Sequence, residues 1–197
     1  MAELIEKHAN GGKANFVGHS LGAKIIIELL SIKPELILKA IVASALFRPI
    51  PLMKLTHKPF YYKLTTDLLK STWITSLLVK QFKFPNKIYN DNCKRGFQGL
   101  SAQTFYRIYD EVYKNIGLPK GLEKVEVPTL IIAGEREPKA MKQSVIDMIN
   151  VIPNSKGILI KNGQHTYPWV MYESFNKIID EWINNEQIIS ESVVHLS

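Results

Sequence analysis

The chain has 197 residues, 46% of them apolar, which suits one domain with a sizeable buried core. Its single cysteine, Cys93, excludes an intramolecular disulfide framework, no Cys/His cluster has zinc-site spacing, and the apolar stretches 25–32 and 41–47 are too short to span a bilayer. The net charge of +7 is local: residues 49–100 hold nine Lys/Arg against Asp67 and Asp91, scattered singly and without a zinc-finger, RRM or KH signature, so nucleic acid is not an expected partner.

Residues 2–9 favour helix, and Asn10-Gly11-Gly12 stops it as a glycine cap would. Glu3 and Glu6 stand where a signal peptide carries basic residues, so a soluble, cytoplasmic chain is expected. Ala14–Val17 reads as a short buried strand, Leu21–Ser31 as a helix ended by Pro34, and Ala40–Ala45 as a second short strand. From Pro49 to Leu100 the order changes, and Pro51, Pro59 and Pro85 punctuate a helical insertion rich in Lys, Leu, Tyr and Phe. A helix over Ala102–Lys114 follows, then a strand over Thr129–Ala133 ending at Gly134. A helix at 140–150, a strand at 157–160, a loop through His165, a helix from Pro168 to Asn184 and a frayed tail complete the pattern. Alternating strands and helices predict an α/β fold, a parallel sheet with helices on both faces. Residues 1–48 and 101–186 form its core, 49–100 a helical cap, and 187–197 a tail.

Gly18-His19-Ser20-Leu21-Gly22 matches G-x-S-x-G and sits between a predicted strand and helix, the context which that motif requires. Small residues on both sides of Ser20 let strand and helix approach closely, and the turn lifts the hydroxyl to the positive end of the helix. These residues resemble the nucleophile elbow of the α/β-hydrolase family.

The resemblance implies a chain order of serine, acid and histidine, the last two on loops after later strands. Val127 to Glu137 resembles the acid-bearing strand and loop, with Glu137 in the acid's place and Glu135 as its rival. Aspartate is commoner there, so the longer glutamate has to be absorbed by a shifted loop or a deeper histidine. His165 in Gly163-Gln164-His165 takes the place of the base. His8, His57 and His195 occupy no such loop, and His19 is expected to pack sideways against the nucleophile without moving a proton. Ser44 and Ser144 are expected to be structural. Leu21 N–H is the expected oxyanion donor.

The implied activity is that of a serine hydrolase on a small ester or related acyl substrate, with no metal or organic cofactor. The insertion lies where family members carry a lid, and Phe60, Tyr61, Tyr62, Trp73, Phe82 and Phe84 either line an acyl pocket or pack the cap. The resemblance runs to about Glu186 and covers roughly the last two thirds of a full member, so the chain reads as N-terminally truncated. Strands before the elbow, and the loop that supplies a second oxyanion donor worth about 3 kcal/mol, are then missing. The alternative is a catalytically impaired remnant, or a fragment needing complementing strands. Ala14–Val17 becomes an exposed sheet edge, an expected route to self-association.

Overall fold

The computed structural model describes residues 2–50, 56–114 and 116–196; Pro51 and Lys54 of the predicted insertion lie outside the described residues. In chain order the elements are α1 (Ala2–His8), β1 (Ala14–His19), α2 (Leu21–Ile32), β2 (Ile37–Ala43), α3 (Pro59–Leu69), α4 (Thr72–Gln81), α5 (Lys87–Gly99) and α6 (Ala102–Lys114). They continue as β3 (Thr129–Gly134), α7 (Lys139–Val151), β4 (Ser155–Ile160), α8 (Tyr167–Val170), α9 (Tyr172–Asn185) and β5 (Val193–Leu196). Two compact units result. The sheet unit comprises Met1–Arg48, Gly117–Tyr167 and Met171–Ser197; the helical unit comprises Pro49–Ile116 and Pro168–Val170.

In the sheet unit, β1 to β4 are parallel and lie side by side in chain order, with β5 antiparallel beside β4. Every residue of β3 is buried, as expected of a central strand covered on both faces. The pleat separates two rows. Ala43, Ile132 and Ile158 pair across one row, on the face where Phe175, Ile178 and Trp182 of α9 close the core. Those three sit at helical spacing, so one stripe of α9 is apolar. Gly18, Val42, Ile131 and Gly157 pair across the other row. A Cβ on Gly157 would touch Ile149 and Val145 of α7, and one on Gly18 would strike Ile26 of α2, which places these helices on that second face. Glycine at both ends of the row lets α2 and α7 approach closely.

The segment leaving β2 is tied down within the sheet unit. Ser44 N donates to Ile132 O, Lys24 Nζ to Leu46 O, Phe47 N to Ser144 Oγ, and Gly117 N to Phe47 O. Arg48 makes a bidentate pair with Asp147.

In the helical unit α3 packs on α6 and α4 on α5. Pro59 opens α3, where a missing N–H costs nothing, and Asn86 caps α5 by accepting from Tyr89 N. Its interior is aromatic. His57 accepts or donates between Tyr62 Oη at 2.9 Å and Asp110 Oδ1 at 3.1 Å, and the Tyr106 ring stacks on it. Tyr62 in turn meets Phe105, Tyr106 and Tyr109.

β1 stands at the sheet edge among the described residues, as expected of Ala14–Val17, and Val17 is 45% exposed there. Other expectations change. The helix expected from Pro168 to Asn184 breaks at Met171, whose ψ of 39° is non-helical. Within the expected frayed tail, 187–197, Val193–Leu196 forms β5, and the Ile189 and Ser190 N–H groups before it donate to the buried Glu181 carboxylate. Ala102–Lys114, assigned to the core, belongs to the helical unit. Among the described residues no helix is long and apolar enough to cross a membrane.

Candidate active site

Ser20 stands between β1 and α2 with φ 57° and ψ −116°, a left-handed backbone that few non-glycine residues adopt. Three hydrogen bonds hold it there. Ser20 N donates to Ala43 O at the end of β2, and Ser20 O accepts from Ala23 and Lys24 N–H as α2 begins. A Cβ on Gly18 would lie 2.6 Å from the Gly22 carbonyl carbon, whereas one on Gly22 would meet nothing within 4 Å. The crowding that makes this turn is therefore one-sided, at Gly18 and not at both glycines. Leu21 opens α2, so its N–H is one of the first-turn donors that no carbonyl within the helix takes.

The loops after β3 and β4 interlock. Glu135 N donates to Ile160 O, Arg136 N to Gly163 O, and Glu137 N to Gly134 O, closing a tight turn. A Cβ on Gly134 would lie 2.6 Å from the Gly163 carbonyl carbon, so the two loops touch through glycine backbones. Glu135, the rival acid, accepts from Asn162 N at 2.7 Å and braces the loop that leads to His165. Glu137 is the carboxylate against the histidine.

His165 Nε2 lies 3.1 Å from Ser20 Oγ, and His165 Nδ1 lies 2.5 Å from Glu137 Oε1. The carboxylate fixes the tautomer: Nδ1–H donates to it, leaving Nε2 to accept from the serine hydroxyl. The His165 side chain is 46% exposed and that of Glu137 only 1%, so this line runs from an open end to a buried one. Burial alone would push the Glu137 carboxyl up. Donors from His165, Gly134 N and Ser44 outweigh it and hold the group below its ordinary value. The extra methylene of glutamate is taken up inward, where Oε2 accepts from Gly134 N at 2.7 Å and from Ser44 Oγ at 2.8 Å.

Ser44 and Tyr167 are site residues that reading the sequence did not find. Ser44 Oγ also lies 3.2 Å from Tyr167 Oη, and both residues are buried. Burial raises the Tyr167 phenol well above its ordinary value, so it stays protonated. Tyr167 had one visible signal, its place two residues beyond His165; Ser44 had none, because its partner is 93 residues away. His19 packs 4.6 Å from the His165 ring and edge-on to Tyr167. Burial first, and the neighbouring His165 second, lower its value to about 4, so it is neutral near pH 7. His8 and His195 lie in α1 and β5, and His57 in the helical unit. Among the described residues no group of three or more His, Cys, Asp or Glu could hold a metal ion.

No family profile matches the chain. A curated relative, the (E)-2-((N-methylformamido)methylene)succinate hydrolase of Acinetobacter baylyi, is 22% identical over 193 residues, 88% of this chain and 66% of that protein. A serine hydrolase from the polyaromatic-hydrocarbon degrader Cycloclasticus zankles superposes with a TM-score of 0.68 at 17% identity, over 88% of this chain and 65% of its own. The carbazole-degradation serine hydrolase CarC gives 0.66 at 17% identity, over 92% and 67%. The chain thus spans just under two thirds of the length of the first two. With a mostly parallel sheet flanked by helices and these neighbours, the chain has the α/β-hydrolase fold.

Proposed function

We propose that the chain is a serine hydrolase acting on an ester or related acyl substrate, with Ser20 as nucleophile, His165 as base and Glu137 as the acid that orients it. The observation that carries this reading is the unbroken line of hydrogen bonds from Ser20 Oγ, through both ring nitrogens of His165, to a buried carboxylate. A serine hydroxyl is a weak nucleophile near neutral pH and needs such a base. As Ser20 Oγ attacks the acyl carbon, its proton passes to His165 Nε2, and the imidazolium is stabilised by Glu137. Leu21 N–H, at the positive end of α2, faces the oxygen on which negative charge develops. The proton then goes to the leaving group, the acyl group stays on Ser20, and His165 draws a proton from water to release it. Two of the named relatives are serine hydrolases, which favours the same chemistry here. Insertion of the helices α3 to α6 between β2 and β3 supports their reading as a cap.

The test is turnover of a short chromogenic ester, together with covalent labelling by a fluorophosphonate. Ser20→Ala is expected to lose label entirely and to lower kcat by about 10⁴-fold or more. Equal rates from both proteins, with label elsewhere than Ser20, remove the reading.

A further inference from the structure

We propose that Ser44 and Tyr167 act in series as positioning residues for Glu137, a two-hydroxyl brace that fixes the carboxylate from the side opposite His165. The proposal rests on the triad reading above and deepens it. The geometry is specific. Glu137 offers two oxygens: Oε1 faces His165 Nδ1, and Oε2 accepts from Gly134 N and Ser44 Oγ. Ser44 has one proton and gives it to the carboxylate at 2.8 Å, so the second contact, 3.2 Å to Tyr167 Oη, is filled by the tyrosine's proton. Both hydroxyl dipoles then point toward the negative charge, and each strengthens the other in this dry setting.

Three features separate this arrangement from incidental packing. Ser44 holds a left-handed backbone, φ 56°, that a serine adopts only at a cost, and its N–H is fixed to Ile132 O. The hydroxyl is thereby aimed from the end of β2 across to the β3 loop. Tyr167 belongs to the same loop end as His165 and turns back into the core, where Phe175 packs on its ring. The brace therefore ties the base's own loop to the acid. A glutamate carries one more rotatable bond than an aspartate, and two hydroxyls in series remove that freedom.

The titratable groups facing the pair are His19, neutral at its lowered value of about 4, and Tyr167, held protonated by burial. Neither changes charge near neutral pH, so neither confounds a pH profile taken in that range. Removing a hydroxyl dipole whose positive end points at the pair makes the pair easier to protonate, which moves the acid limb of the kcat/KM profile upward.

The experiment compares wild type with Ser44→Gly, Tyr167→Phe and the double variant. Glycine suits the φ of 56°, so Ser44→Gly deletes the hydroxyl while relieving backbone strain; Tyr167→Phe keeps the ring. Ser44→Gly is expected to lower kcat about tenfold, with KM changed less than about twofold. It should also raise the acid limb by about half a pH unit. Tyr167→Phe should do the same to a smaller extent, and the double variant should be no worse than Ser44→Gly, the signature of groups in series. Wild-type values in Ser44→Gly, or additive losses in the double variant, overturn the brace. The pH midpoint of the Glu137–His165 pair is also followed by NMR of the His165 ring protons, which needs no turnover. An upward move in Ser44→Gly alongside absent ester hydrolysis and an unlabelled Ser20 sustains the brace while the hydrolase reading fails; an unmoved midpoint overturns the brace whether or not esters are cleaved.

Discussion

The sheet unit and the helical unit are held together by different means. In the sheet unit, β2, β3 and β4 put Ile and Ala side chains into two paired rows, and most of those residues are fully buried between α9 on one face and α2 and α7 on the other. In the helical unit, Thr66, Leu69, Thr75 and Val79 are buried, while α5 and α6 bury no residue fully. Its cohesion comes from rings stacked about His57 and from the polar chain Tyr62–His57–Asp110–Lys114. Aliphatic rows fix a backbone to within a register step, because a slip of one residue would turn every apolar side chain to the wrong face. Ring clusters with a central hydrogen bond tolerate rearrangement more readily. The lesson is a division of labour: residues that need fixed spacing stand on the first kind of packing, and a variable surface can stand on the second.

The largest expected effect probes the rows. Trp182→Ala empties the centre of the α9 face and should destabilise the sheet unit by about 3–5 kcal/mol, read as a lowered urea midpoint by circular dichroism. A loss under about 1 kcal/mol would mean that the rows do not carry this unit. Next comes pH. A histidine lowered from 6.5 to about 4 binds fewer protons folded than unfolded between those values. Its share of stability is therefore complete above pH 6.5 and lost as the pH falls toward 4, about 3 kcal/mol in all. His19→Gln should flatten the urea midpoint over this range, and an unchanged slope would dismiss the buried neutral ring. Smallest is His57→Ala, which removes the hub of the helical unit at about 2 kcal/mol. Limited proteolysis should then cut within residues 56–114 while the sheet unit stays intact. Simultaneous cleavage of both units would collapse the contrast.

Much of the sheet unit is legible in the sequence because its signals are local. Short apolar runs, glycine and proline stops, and G-x-S-x-G between a strand and a helix all act over a few residues. What escapes is tertiary. Ser44 looks like any residue after a strand until Ile132 O takes its N–H and Glu137 takes its hydroxyl. Val193–Leu196 reads as tail because its four residues are held by distant partners: antiparallel pairing with β4, and the Glu181 carboxylate on the N–H groups of Ile189 and Ser190 just before it. The six aromatic residues that read as either pocket lining or cap packing divide in the structure. Tyr62 lies within the ring cluster and Phe82 packs on Phe84 and Phe97, while Phe60 and Trp73 are about 70% exposed. Composition marks such residues as apolar without saying which neighbour they meet. The glutamate in place of aspartate was visible, but the inward route that accommodates it was not, since it depends on a hydroxyl from another strand.

Ala43 and Ser44, consecutive at the end of β2, hang two distant parts of the chain from one point: Ala43 O holds the amide of Ser20, and Ser44 Oγ holds Glu137. Thermal breathing of that strand end displaces both in common, as two lamps on one bracket sway together. A shared anchor of this kind opposes a change in the interval between hydroxyl and carboxylate when the end of β2 shifts as a body.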